Sequence, residues 1–100
     1  MKDLKKIVWD ERAVAQFEKI CNYIVEQSPQ NADNLKSEII HTLEKIPANP
    51  EKHPADKYRN KNKGDYRAFE LHHVRIAYQI TAEHILILRI RSTHQEPKTY

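Results

Sequence analysis

The spacing of hydrophobic residues changes near the middle of the chain, from a helical period to the alternation of β-strands. In the first half, apolar positions recur every three to four residues, as on one face of an amphipathic helix. This pattern predicts two helices, one over residues 11–27 and one from residue 29 to about residue 46. The apolar positions are Ala13, Val14, Phe17, Ile20, Cys21, Ile24 and Val25 in the first helix, and Ala32, Leu35, Ile39, Leu43 and Ile46 in the second.

Polar and proline residues mark the ends of both predicted helices. Asp10 is placed to cap the first helix, and Ser28 to cap the second, since short oxygen-bearing side chains accept hydrogen bonds from free N–H groups there. Pro29 suits a first helical position, and Pro47 disfavours helix in the residue before it. Because the connection at residue 28 is so short, we expect the two helices to pack as an antiparallel hairpin.

Strand-like patterns flank this hairpin. Residues 5–9 predict a short strand, and after a proline-containing loop over 47–54 the period becomes two. Strands are predicted over 66–71, 74–81 and 85–91, and their short connections favour antiparallel neighbours. The last strand is apolar on both faces, as is typical of a central strand covered on both sides. The predicted fold class is α+β, with the helical hairpin packed on an antiparallel sheet. We expect a single domain over residues 1–100 with the order β-α-α-β-β-β.

Charge is distributed unevenly. Residues 1–51 carry 7 basic and 9 acidic side chains, whereas residues 52–100 carry 10 basic and 5 acidic ones. The second half is therefore the candidate surface for an anionic partner. A single glycine excludes glycine-rich phosphate loops, and a single cysteine excludes disulfides and cysteine-based zinc sites.

Two groups of basic residues are candidates for binding or chemistry. The first lies around Gly64 and would bind phosphates, or else form a solvated turn; it comprises Lys57, Arg59, Lys61, Lys63 and Arg67. The second could cleave RNA, because arginine stabilises a charged phosphate, histidine transfers protons and tyrosine stacks on bases; it comprises Arg75, Arg89, Arg91, His94 and Tyr100. The alternative is that these arginines are strand residues in salt bridges. The six histidines show no metal-ligand spacing, so we expect neither a metal nor a cofactor.

The order of elements and several short motifs resemble the RelE/ParE superfamily of bacterial type II toxins. The motifs are Asn22-Tyr23-Ile24, Ser28-Pro29 with Ala32, Tyr66-Arg67, the run 74–80, and 87–91 leading to Glu96-Pro97 and Tyr100. The resemblance covers nearly the whole chain. It implies a growth-inhibiting toxin that a cognate antitoxin protein neutralises, and that contacts operator DNA only through the antitoxin complex.

The resemblance implies one of two mechanisms. RelE-like members cleave mRNA on the ribosome, and here Arg75 and Arg91 would hold the phosphate, His94 would transfer the proton and Tyr100 would orient a base. The nearest match to an upstream acidic base is Asp56. ParE-like members instead bind and inhibit DNA gyrase without chemistry of their own, and the long helical hairpin resembles that branch. Ribosome-dependent mRNA cleavage is the first expectation, gyrase inhibition the alternative, and an inactive, antitoxin-bound regulator a third possibility.

The apolar stretch near the start ends at Trp9. It is shorter than the roughly 7–15 apolar residues of a signal peptide or the roughly 20 of a spanning helix. We therefore expect a cytoplasmic protein without a membrane segment. We also expect an antitoxin segment to cover the apolar strand over 85–91 or the groove of the hairpin.

Overall fold

The computed structural model of the chain describes residues 4–94 and 98–100. Within them, a short strand precedes two helices, and three further strands follow a long loop. The elements are β1 (Lys6–Trp9), α1 (Glu11–Gln27), α2 (Pro29–Lys45), a 3₁₀ turn (Ile46–Ala48), β2 (Tyr66–Leu71), β3 (Val74–Ile80) and β4 (His84–Ser92). The predicted fold class and order of elements are confirmed.

The helical hairpin follows from two capping residues. The side chain of Asp10 accepts a hydrogen bond from the main-chain N–H of Arg12 at 2.8 Å and so begins α1. Ser28 serves both helices: its N–H donates to the carbonyl of Ile24 at 2.8 Å, and its hydroxyl accepts from the N–H of Asn31 at 3.2 Å. One residue therefore ends α1 and caps α2, which keeps the connection short and the helices antiparallel.

The sheet has the order β1-β4-β3-β2. The predicted meander is confirmed, because β2, β3 and β4 pair antiparallel in sequence order. β1 pairs with β4 in parallel, so the sheet is mixed rather than wholly antiparallel as expected. Parallel pairing needs a long crossover connection, and the chain between β1 and β4 supplies it. β4 is thereby a central strand, as its apolar character predicts.

A β-bulge in β4 determines which face of the sheet the side chains after it occupy. The register moves between Ala77, which pairs with Arg89, and Tyr78, which pairs with Ile87. Leu88 is the extra residue, so Ile87 and Ile90 are both buried although they are three positions apart. The bulge places Arg89 and its neighbour Arg91 in line with Ala77 and Arg75 of β3, on the face away from the core.

The core lies between the helical hairpin and one face of the sheet. Its largest fully buried side chains are Ile39, Ile46, Ile76, Tyr78, Ile85, Ile87 and Ile90. The opposite face carries the strand arginines and lies away from the core that both helices form with the sheet, and we call it the helix-free face. In the part of the chain that the structure describes, no helix is long and apolar enough to cross a bilayer.

Candidate functional site

A cavity of about 280 Å³ lies on the helix-free face of the sheet. Its floor is formed by β3 and β4, and its walls by the loop after residue 55 and by the segment 98–100. Its lining comprises Asp56, Lys57, Tyr58, Glu70, Arg75, Ala77, Arg89, Arg91, Ser92, Thr93, Lys98 and Tyr100. Five of these side chains are basic and two are acidic, so the cavity carries a net positive charge.

Asp56 is the hub of this site. It is 2% exposed, and its carboxylate accepts three hydrogen bonds. Arg75 donates to Oδ1 at 2.8 Å, the hydroxyl of Tyr100 donates to Oδ2 at 2.6 Å, and the N–H of Tyr58 donates to Oδ1 at 3.1 Å. Asp56 thereby joins β3, the loop and the segment 98–100, which are distant in sequence.

Asp56, Arg75 and Tyr100 shift one another's pKa values. Burial alone would raise the pKa of Asp56, but hydrogen bonds from Tyr100, Arg75 and the Tyr58 main chain offset this and leave its pKa lowered. Burial opposes the charge of Arg75, yet Asp56 and Glu70 raise its pKa above the ordinary value. Burial and then the bond to Asp56 raise the pKa of Tyr100. At neutral pH the site therefore holds a carboxylate, a guanidinium and a neutral phenol.

Tyr100 is fixed by its main chain as well as by its hydroxyl. Its N–H donates to the carbonyl of Tyr58 at 2.9 Å, and its own carbonyl accepts from the N–H of Asn60 at 2.6 Å. The guanidinium of Arg89 lies 4.3 Å from the centre of the Tyr100 ring, within cation–π range. These contacts hold the Tyr100 ring in place as one wall of the cavity.

The loop that carries Asp56 is organised by Asn62. Its side-chain amide donates to the carbonyls of Asp56 and Tyr66, and its side-chain oxygen accepts from the N–H of Gly64 at 2.9 Å. Gly64 has φ of +99°, a conformation that glycine adopts without a steric penalty. The turn expected around Gly64 is thus held by a network of local hydrogen bonds to the start of β2.

The basic residues around this loop lie in different places. Lys57 lines the cavity. The guanidinium of Arg59 stacks on the ring of Tyr66, 4.0 Å from the ring centre, beside a neighbouring groove. That groove also includes Arg89 and Arg91. Lys61 and Lys63 are on the loop, and neither belongs to the described lining of the cavity or the groove.

Arg67 has a structural environment. It lies opposite Tyr78, on the helix side of the sheet. Its guanidinium donates to three main-chain carbonyls, those of Glu51, His53 and Gly64, at 2.9 to 3.1 Å. Arg67 therefore fastens the long loop to β2, and its donors are directed away from the cavity.

The four residues to which the resemblance gives roles in mRNA cleavage do not all lie together. Arg75, Arg91 and Tyr100 line one cavity, but His94 is exposed and absent from the described lining. Its ring packs against that of His73, with ring centres 4.9 Å apart. Sequence reasoning identified Asp56 only as the nearest acid and gave it no central role. The signal it offered was an acid two residues after Pro54, directly before the basic stretch 57–63.

Within residues 4–94 and 98–100, no three His, Cys, Asp or Glu side chains form a group that could hold a metal ion. Glu96 and Pro97, which carry part of the sequence resemblance, lie outside the described residues.

Comparison with known proteins identifies the family. The sequence profile described as "ParE toxin of type II toxin-antitoxin system, parDE" matches residues 7–97. A chain of the "Chromosomal ParDE TA system from P. aeruginosa" superposes with a TM-score of 0.68 at 18% identity, covering 89% of this chain and 96% of that one. At this identity the superposition shows a shared fold. Comparison with curated proteins gives no significant match. Since the family profile spans nearly the whole chain, this protein belongs to the ParE toxin family of type II toxin–antitoxin systems.

Proposed function

We propose that this toxin inhibits growth by binding DNA gyrase, without a catalytic step of its own. The family favours this alternative over mRNA cleavage on the ribosome, because inhibition of gyrase is what the ParE-like branch implies. The antitoxin of the same pair would neutralise the toxin, and operator DNA would be contacted through the antitoxin complex.

The observation that carries the proposal is the closed hydrogen-bond network around Asp56. Internal cleavage of RNA needs a base for the 2′-hydroxyl and an acid for the leaving oxygen. Asp56 has a lowered pKa and three donors, so it is a poor proton acceptor. The hydroxyl of Tyr100 is engaged by Asp56, and His94 is outside the cavity lining. In the described part of the chain, these residues bind one another and leave no proton-transfer pair aimed into the cavity.

The antitoxin would cover apolar surface that the fold leaves exposed. Val8 of β1 lies on the helix-free face beside Leu86, and Tyr23 and Ile40 are exposed on the two helices. Burying such side chains would stabilise the complex. Hydrogen exchange that slows in residues 85–91 when the antitoxin binds would support this location; unchanged exchange there would contradict it.

The mechanism is tested with two purified targets. The toxin, separated from its antitoxin, is added to gyrase with relaxed plasmid and to translating ribosomes with mRNA. We expect supercoiling to be inhibited and the mRNA to remain intact. The same toxin pre-incubated with the antitoxin encoded beside it is the control, and should leave supercoiling unaffected.

A substitution separates binding from catalysis. His94→Ala should inhibit gyrase as strongly as the parent chain, because the proposal gives the imidazole no part in chemistry. If the parent chain cleaves mRNA in the ribosomal A site and leaves supercoiling uninhibited, and if His94→Ala loses this cleavage, the proposal is overturned in favour of the nuclease mechanism.

A further inference from the structure

A pair of histidines at one end of the sheet has no part in the network around Asp56. His73 belongs to the turn between β2 and β3, and His94 to the turn that follows β4. Their rings are tilted by 33° with centres 4.9 Å apart, and both residues are exposed. Because they are far apart in sequence, only the pairing of β3 with β4 brings them together.

We propose that His73 and His94 together bind a divalent transition-metal ion of the Zn²⁺ or Cu²⁺ class. Imidazole nitrogen is a preferred ligand of both ions. Two imidazoles on one tetrahedral Zn²⁺, with Zn–N bonds of about 2.0–2.1 Å, place their ring centres about 5 Å apart. The observed separation of 4.9 Å matches this value, and the proposal requires each ring to turn so that one of its nitrogens points at a shared ion. Water completes the coordination.

The main chain holds the two histidines in place before any ion binds. The N–H of Thr93 donates to the carbonyl of His73 at 2.8 Å, which ties one turn to the other. The hydroxyl of Ser92 accepts from the N–H of His94 at 3.2 Å, and Ser92 is itself paired with Val74 in the sheet. The entropy lost in ordering the ligands around an ion at this position is therefore small.

The backbone conformation of the β2–β3 turn also points to a role for His73. Both His72 and His73 have positive φ, 49° and 64°, in a two-residue hairpin connection. Such turns favour asparagine and glycine, because other side chains are strained in this conformation. His72 has a contact that accounts for its side chain, since its ring binds the carboxylate of Glu38 on α2. That contact directs His72 to the helices and leaves His73 as the partner of His94.

The consequence for the molecule is a link across the end of the sheet. A bound ion would join the β2–β3 turn to the segment that leads from β4 towards residues 98–100. Thr93, next to His94, lines the basic cavity, so the ion would sit beside that cavity and add positive charge near it. The site is separate from the proposed inhibition of gyrase, which does not depend on it.

The proposal is tested by titrating the untagged toxin with Zn²⁺ or Cu²⁺ alone, by calorimetry at a fixed pH of about 7.5, because the affinity for a metal ion depends on pH. We expect one ion per chain, with Cu²⁺ bound more tightly than Zn²⁺. His73→Asn and His94→Asn should each weaken binding at least about tenfold, since each removes one of two protein ligands. Asparagine suits positive φ, so His73→Asn keeps the turn folded.

His72→Asn is the matched control, because it changes the neighbouring histidine in the same turn. We expect the affinity of His72→Asn for the metal ion to stay close to that of the parent chain. As an independent readout, Cu²⁺ should broaden the imidazole NMR signals of His73 and His94 and spare that of His41 on α2. Unchanged affinity in both His73→Asn and His94→Asn, or an equal loss in His72→Asn, would overturn the proposal.

Discussion

Replacing Asp56 by asparagine should be among the most destabilising single changes on the helix-free side of the sheet. The substitution Asp56→Asn keeps the size of the side chain and removes its charge. The side chain of Asp56 is 1% exposed and that of its partner Arg75 is 18% exposed, so the ion pair is shielded from solvent. Breaking such a pair leaves a guanidinium without its main counter-charge in a poorly solvated place.

The expected loss follows from the contacts. Removing one partner of a buried ion pair costs about 3–5 kcal/mol. Arg75 keeps its second partner, Glu70, at 2.8 Å, and the amide oxygen introduced by Asp56→Asn still accepts one hydrogen bond, so we expect the lower end, about 3 kcal/mol. For a domain of this size, that loss lowers the melting temperature by roughly 12–24 °C.

The measurement is urea unfolding at pH 7, followed by the fluorescence of the single tryptophan. Trp9 packs on Phe17 with ring centres 5.6 Å apart, so its environment reports the loss of the core. Glu70→Gln is the matched control: it removes the other carboxylate that binds Arg75, but the Glu70 side chain is 49% exposed, and we expect a loss below about 1 kcal/mol. If Asp56→Asn costs no more than Glu70→Gln, the assignment of Asp56 as the hub of the network is refuted.

Three further predictions concern pH, the core and the helix junction. The pKa of Asp56 is lowered in the folded chain. The contribution of its carboxylate to the unfolding free energy is therefore complete above the pKa of about 3.9 in the unfolded chain, and it is lost as the pH falls through the lower pKa of the folded chain. The difference in unfolding free energy between the parent and Asp56→Asn should therefore be constant above about pH 5 and shrink below about pH 4; a difference that grows on acidification would contradict this. Ile39→Ala should cost about 2–5 kcal/mol in the same urea assay because Ile39 is fully buried, whereas Ile40→Ala, at an exposed neighbouring position, should cost less than about 1 kcal/mol. Ser28→Ala should cost about 1 kcal/mol through the lost cap of α2, with Ser37→Ala on the same helix as the neutral control; equal effects would rule out the capping role.

Local features allowed much of the fold to be predicted. α1 has the predicted bounds because Asp10 and Ser28 act on main-chain groups within a few residues of themselves. The strands differ from the prediction only at their ends. β3, for example, ends at Ile80, since the N–H and hydroxyl of Thr81 both donate to the carbonyl of His84 in the turn.

The candidate site was only partly predictable. Its arginines and Tyr100 stood out by residue type, but residue type did not separate Arg75 in the cavity from Arg67, which binds loop carbonyls. The distinction depends on which face of the sheet each residue occupies. For β4, that face is set by the bulge at Leu88, which a periodic pattern does not reveal.

By itself, the sequence determined the α+β class, the helical hairpin, the antiparallel meander and the toxin superfamily, because periodicity, caps and motifs are local properties of a chain. The tertiary structure alone decided the parallel pairing of β1, the bonding of Asp56 to Tyr100 across 44 positions and the meeting of His73 with His94. These contacts join segments that are distant in sequence, and a local pattern does not say which segment pairs with which. Their partners are chosen by the register of the sheet and by the requirement that buried polar groups be hydrogen-bonded.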